Sequence, residues 1–311
     1  MTTEKNLSPD QDGQSRRRFI YNVGTALGTG MVLGMPGLAE AAKFVGTRDQ
    51  YTVKQVMDLF IQEVHGAPFP GTVDTLKSGS PDTLVTGIVT TMFATIDVIR
   101  KAIDLGANFI IAHEPTFYNH EDKTDWLKND DVFQFKMDLL NSHQIAVWRN
   151  HDDIHQLKPD GVTKGVLMQL GWEKYADATL PNVITLPAST LKDIIGHTKE
   201  KLHIEKVRYI GDLDTVGTKV LFIPGAAGGR MHIQGIGKYK PEVLICGEIS
   251  EWETAEYVRD ARAKGDHISL VVLGHIASEE PGSEFMFNWL KEHIPAIKTT
   301  HVPCGNSLSF F

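Results

Sequence analysis

The sequence predicts an α/β fold made of two similar strand–helix lobes, with mixed sheets flanked by helices. Three observations predict it. From about residue 53 onward, short apolar runs of strand length alternate with stretches whose apolar residues recur at helical spacing. Five of the apolar runs stop at a burst of polar or glycine residues, as strands do at the C-terminal edge of an open α/β sheet. The halves, about 50–180 and 181–311, look alike in plan, with no residue-level repeat and no low-complexity linker between them.

Taken in order, residues 53–64 carry apolar side chains at helical spacing (Val53, Val56, Met57, Phe60, Ile61, Val64). Residues 84–90 predict a strand. Residues 96–105 predict a helix closed by Gly106. Phe109-Ile110-Ile111-Ala112 is a buried strand, 132–140 an amphipathic helix and Ile145-Ala146-Val147-Trp148 a strand. A helix over 162–170 ends at Gly171. Residues 181–187, bounded by Pro181 and Pro187, predict a turn that opens the second half. A helix over 190–202 follows, then strands over 207–210, 220–223, 243–245 and 268–273. Helices are predicted over 253–263 and 283–293.

Composition excludes several classes. With 41% apolar and 23% charged residues the chain has the make-up of a globule and not of a disordered polymer. A net charge of −8 argues against a global grip on nucleic acid or on an anionic membrane. Two cysteines cannot build a disulfide framework or a four-thiolate zinc site. Thirteen histidines remain to be explained.

Ser15-Arg16-Arg17-Arg18-Phe19-Ile20 precedes a weakly apolar, Gly-rich run over 23–38 and then Ala39-Glu40-Ala41. Basic, apolar and small-residue segments in that order resemble a twin-arginine export signal over 1–41. The run is short of the ~20 apolar residues of a membrane span. The expectation is a periplasmic or extracytoplasmic protein with no stable membrane anchor after processing. It would be exported already folded, so a metal loaded in the cytoplasm could travel with it. In that compartment Cys246 and Cys304 could pair, although no sequence feature joins them.

The chemistry lies where the apolar runs end. Three ends carry both histidine and carboxylate: His113-Glu114-Pro115, His151-Asp152-Asp153-Ile154-His155, and Gly274-His275 through Ser278-Glu279-Glu280. Imidazole with carboxylate suits a divalent transition metal, namely zinc, iron, manganese or nickel. His275 and Glu279 are four apart, so a helix beginning after Gly274 would set both on one face. Alternatives stay open at each place. A His-Glu pair after a strand can be ordinary surface polarity, His275/Glu279 can be a helix-face ion pair, and the turn Gly225-Ala226-Ala227-Gly228-Gly229 can cradle an anion or simply reverse the chain. Cys246 has the character of a small core residue. No Gly-x-Ser-x-Gly elbow supports a serine hydrolase.

These ends together resemble the NIF-three-like dinuclear-metal family, often labelled GTP cyclohydrolase I type 2, over roughly residues 50–311. The family's His-His-Pro strand end stands here as His113-Glu114-Pro115. Its His-Thr-Asn-Leu-Asp segment matches His151 to His155, its Gly-rich turn matches Gly225 to Gly229, and Thr-Gly-Glu-x-Ser-Glu matches Cys246 to Glu251. Gly-His-x-x-x-Glu matches Gly274-His275 with Glu279. The resemblance implies two divalent metal ions held between the lobes by His113, Glu114, His155, His275 and Glu279. Glu279 would bridge, His113 and His155 would hold one ion, and Glu114 and His275 the other. Asp152, Asp153 and His151 are alternates if the register shifts. Glu279 and Glu248 are the carboxylates it puts in catalytic roles. It further implies a metal-dependent hydrolase of a small molecule (a cyclic amidine, amide or phosphate), with a metal-binding protein without turnover as the alternative. A homo-oligomer, in the family often a hexameric ring, is implied as well. Two family ligands have changed type in opposite senses: an imidazole becomes Glu114, and an acid becomes His155. The family's Trp-Asp-Asn-x-Gly-Leu segment is not recognisable around residues 73–78.

Overall fold

A computed structural model describes residues 50–311; the expected export signal over 1–41 lies outside them. Two five-stranded sheets, each flanked by helices, make up the α/β architecture. In the first, β1 (Leu76–Ser78), β4 (Ala146–Arg149), β3 (Phe109–Ala112), β2 (Ile88–Thr91) and β10 (Thr299–His301) lie in that order. β4, β3, β2 and β10 run parallel, and only the edge strand β1 is antiparallel. In the second, β5 (Val183–Thr190), β7 (Val216–Ile223), β8 (Val243–Cys246), β9 (Ser269–Val272) and β6 (Arg208–Ile210) lie in order, with antiparallel strands at both edges. The inner parallel strands β3 and β8 are buried on both faces, which is why they are continuous apolar runs.

Helix starts follow local chemistry. Thr52 and Gln55 form a reciprocal capping box at α1 (Val53–Ile61). Thr95 caps α2 (Ile96–Asp104), and Asp130 caps α3 (Asp131–Ser142). After the short α4 (Asp152–Gln156), Asp160 caps α5 (Gly161–Leu170), which ends at Gly171 with φ +67°. Thr190 caps α6 (Leu191–Lys201). α7 spans Gly229–Tyr239, and a π-turn over Glu251–Ala255 leads into α8 (Glu256–Ala263). The last helix, α9, spans His275–His293.

Three readings needed correction. The turn expected over 181–187 is largely strand β5. It tolerates Pro187 because it is an edge strand whose register slips between Thr185 and Ser189, where a missing N–H does no harm. The last helix begins at His275 and not near 283. Pro281 sits inside it, and the packing against α5 holds that turn. β1 and β10, three residues each, were not foreseen. Because β10 pairs with β2, residues 299–301 belong to the first sheet, and α9 carries the chain from β9, an inner strand of the second sheet, to the edge of the first. Cys246 and Cys304 are both free thiols: one ends β8 of the second sheet, the other follows β10 of the first.

Candidate metal centre

β3 delivers the first two side chains. Its ladder continues past Ala112, since His113 N–H donates to the Thr91 carbonyl and Glu114 N–H to that of Met92. Pro115 then ends the pairing. His113 and Glu114 are thereby buried at the C-terminal edge of the sheet. His113 Nδ1 lies 3.2 Å from the Asn150 carbonyl, which leaves Nε2 pointing at Glu279 Oε2, 3.5 Å away.

The loop after β4 is fixed by a residue that sequence reasoning passed over. The buried Asp74 carboxylate accepts the backbone N–H groups of His151 (2.8 Å), Asp152 (3.0 Å) and Asp153 (2.7 Å). It satisfies the open start of α4 and sets the direction of His151 and His155. Asp74 falls in the segment 73–78, where no family pattern is recognisable. The rings of His113, His151 and His155 cluster with centroids 4.9–5.1 Å apart. His155 is oriented by Asp160, whose Oδ2 lies 2.8 Å from Nδ1. His151, held only as an alternate in the sequence, therefore joins the group. Asp152 and Asp153 do not. Asp152 accepts from Thr72 Oγ1 and Val73 N–H and lies 2.9 Å from His151 Nδ1, while Asp153 is buried beside Asp74. His120, exposed, places its ring edge-on to His151 at 5.7 Å.

The second sheet contributes the rest. Gly274 turns the chain at φ +97°, and α9 begins at once with His275. One helical turn brings His275 Nε2 to 3.0 Å from Glu279 Oε2, and the same nitrogen is 3.2 Å from Glu114 Oε1. Gly225, at φ +64° after β7, lies so close that a Cβ there would be 2.2 Å from Glu279 Oε1. Only glycine permits that approach. Ser278 Oγ accepts the Gly225 N–H at 3.0 Å and secures it. The Gly-rich turn is a tight turn and not an open anion cradle: at the start of α7 the Gly229 N–H is taken by the chain's own Glu253 carboxylate at 3.3 Å. Glu248 stands at the rim, its side chain 54% exposed and 3.7 Å from His275 Nδ1. Phe93 lies edge-on to His275 at 6.0 Å.

Charge in the site is divided. Burial opposes the charged His275 ring, but Glu114 and Glu279 outweigh it and lift the imidazole to about 10. Burial would likewise raise both acids, yet facing imidazoles hold them below the usual carboxylate range: His113 and His275 for Glu279, and His275, His113 and His151 for Glu114. Burial and the nearby His113 push His151 down to about 4. Neutral, it is a ready ligand. Burial, together with the charges of Asp74 and Asp152, pushes Asp153 up to about 7.

Two groups of donor atoms within 4.8 Å of one another could each hold a metal ion: His113, His151 and His155 in one, and His113, Glu114 and Glu279 in the other. His113 is common to both, and its Nε2 atom is buried without a hydrogen-bonding partner.

The profile of the Duf34/NIF3 family (NGG1p interacting factor 3) matches residues 75–305, well over half of the chain and every residue of this cluster. The chain belongs to the Duf34/NIF3 family. A Clostridium acetobutylicum protein named a GTP cyclohydrolase 1 type 2 homolog is 27% identical over 217 residues, which cover 66% of this chain and 76% of the relative. An Escherichia coli K12 protein of the same name is 24% identical over 208 residues, covering 66% and 79%. Among solved structures, a Bacillus cereus protein related to NIF3 superposes with a TM-score of 0.67 at 14% identity, covering 84% of this chain and 99% of its own. The protein ybgI, described as of unknown function, gives 0.68 at 19% identity over 83% and 100%. At such identities the structural matches establish the NIF3 fold and nothing finer.

Proposed function

We propose that this protein is a metal-dependent hydrolase of a small molecule, with two divalent ions held by His113, Glu114, His151, His155, His275 and Glu279. His113 carries the reading. It belongs to both donor groups, and its buried Nε2 faces Glu279 Oε2 at 3.5 Å with no hydrogen-bond partner. Buried polar atoms kept for structural reasons are almost always paired. The mixture of imidazole and carboxylate fits zinc, iron, manganese or nickel. Such a pair of ions supplies Lewis acidity and an acidified water. The chain's own groups do the remainder. Glu279 is held ionised between His113 and His275, so it can stand between two cations. Glu248, half exposed beside His275, is placed at the rim to exchange a proton with a bound substrate. Phe93 offers an apolar wall against which a ring can lie.

The relatives' name supports opening of a cyclic amidine, and amides or phosphate esters make the same demands on the site. Export by a signal over 1–41 would place the protein where GTP is scarce, so a different small molecule is the substrate. Export and assembly into a homo-oligomer belong to this proposal. Both are checked by the N-terminus and native mass of protein recovered from the periplasm.

The deciding assay is turnover of nucleotides, cyclic amides and phosphoesters by protein stripped with chelator and then reloaded. Metal-dependent hydrolysis of any class supports the enzyme. Silence across the panel at full metal content overturns it and leaves a metal-handling protein. Asp160 gives a finer check on ligand geometry, because it both caps α5 and orients His155. Asp160→Ala is expected to cost about 1 kcal/mol of stability. It should also weaken uptake of one ion by ~10–100-fold. Thermal unfolding and metal titration read the two effects separately.

A further inference from the structure

Glu114 puts a negative charge where the family pattern has a neutral imidazole. The residue is buried, and a buried carboxylate costs several kcal/mol unless it is paired. Its counter-charge comes from the neighbouring strand. Arg149 ends β4, registers against Ala112 of β3 and is fully buried. Arg149 Nη2 lies 3.5 Å from Glu114 Oε2. The other oxygen, Oε1, faces His275 Nε2 at 3.2 Å and His151 Nε2 at 3.7 Å. The two oxygens are thus divided, one toward the imidazoles and one toward the guanidinium.

The guanidinium is itself fixed on every side. Nε donates to the His113 carbonyl at 3.3 Å, and Nη1 donates to the His120 carbonyl. Nη1 also lies 3.6 Å from Asp122 Oδ2, and Lys77 Nζ is 3.2 Å from that same oxygen. Asp122 Oδ1 accepts the Phe117 N–H at 2.7 Å. Arginine's planar fork meets these directions at once, which a lysine ammonium cannot do. The other exchanged position is compensated in the opposite sense, since His155, standing where the family pattern has an acid, rests on Asp160.

We propose that Arg149 is the positioning residue that makes a carboxylate workable as a metal ligand at position 114. It neutralises Glu114, holds one oxygen, and leaves the other for an ion. The inference rests on the metal-centre reading above and concerns a feature particular to this chain.

The test is a double-mutant cycle on the full chain, using Arg149→Lys, Glu114→His and the two combined. Zinc and cobalt affinities are measured by titration, and the visible spectrum of the cobalt protein is recorded. Arg149→Lys should weaken one of the two ions by ~tenfold or more and shift the cobalt spectrum, leaving the other ion within ~threefold. With histidine at 114, the same Arg149→Lys change should alter either affinity by less than ~twofold. Unchanged affinities in Arg149→Lys, or an equal loss with and without Glu114, would overturn the proposal. Should Arg149→Lys not fold, Glu114→Gln decides. It removes the charge that Arg149 pairs with and keeps the shape, so the metal-free protein must melt lower than the parent; an equal or higher melting point overturns the pairing. A parent that takes up no metal ends both readings. A parent with two ions and an indifferent Arg149→Lys ends this one alone.

Discussion

Glu279→Ala and His275→Ala are each expected to strip the protein of most of its metal, against an expected content of about two ions per chain in the parent. Glu279 touches donors from both sheets. Its Oε2 lies 3.5 Å from His113 Nε2 and 3.0 Å from His275 Nε2. Removing it takes away a carboxylate placed between His113 and His275, so the loss should exceed the ~10–100-fold typical of an outer partner. His275→Ala removes the imidazole that links Glu114 to Glu279. Elemental analysis of protein purified without chelator reads both results. In the metal-free state each truncation leaves its charged partners buried and less well paired, so both variants should melt lower than the parent, and metal content is compared on the folded fraction. Full metal occupancy in either variant would dismantle the proposed centre.

Gly165→Ala should be among the most damaging single methyls in the described residues. α5 and α9 cross there at backbone contact: a Cβ on Gly165 would lie 2.3 Å from the Pro281 carbonyl oxygen and 2.8 Å from its carbon. Helix propensity alone favours alanine by about 1 kcal/mol, so the sign is set by sterics. A carbonyl inside a helix cannot swing aside as a side chain can. The helices must separate, at an expected net cost of about 2–3 kcal/mol. For a domain of this size that is a fall in melting temperature of roughly 5–10 °C. α9 also carries His275 and Glu279, so the same variant should bind metal more weakly, although it lies outside the donor cluster. A variant as stable as the parent would mean that the crossing is looser than its geometry.

Most of the fold was legible because its signals are local. Parallel strands such as β3 and β8 are buried on both faces, so they are apolar from end to end. Apolar spacing marks the helices, and glycines such as Gly106 and Gly171 mark their ends within a few residues. Errors arose where a tertiary contact overruled a local rule. Pro187 reads as a turn until β7 pairs with the strand around it. Pro181 and Pro187 together gave the boundary between halves, which β10 then crosses. Pro281 and Gly282 read as a break until α5 packs against them. The three-residue strands β1 and β10 hold too few residues to show a period.

The site divides in the same way. His113, Glu114, His155, His275 and Glu279 could be singled out because acid and imidazole at strand ends are rare together and because a family pattern runs through them. His151 was within reach of the same signal and was held back by uncertainty of register. Asp74 and Arg149 were not within reach. One lies in a segment with no recognisable pattern, and the other is a lone charge at the end of an apolar strand.

By itself, then, the sequence determined the α/β alternation, the strand ends that carry the chemistry and the donor types offered to a metal. Only the tertiary structure decided which donors meet, that Arg149 stands behind Glu114, and that Asp74 aims the histidine loop. Periodicity and capping act over a few residues along the chain. Ligation and charge pairing depend on distances of a few ångström between strands far apart in sequence, and those distances exist only once the sheets have formed.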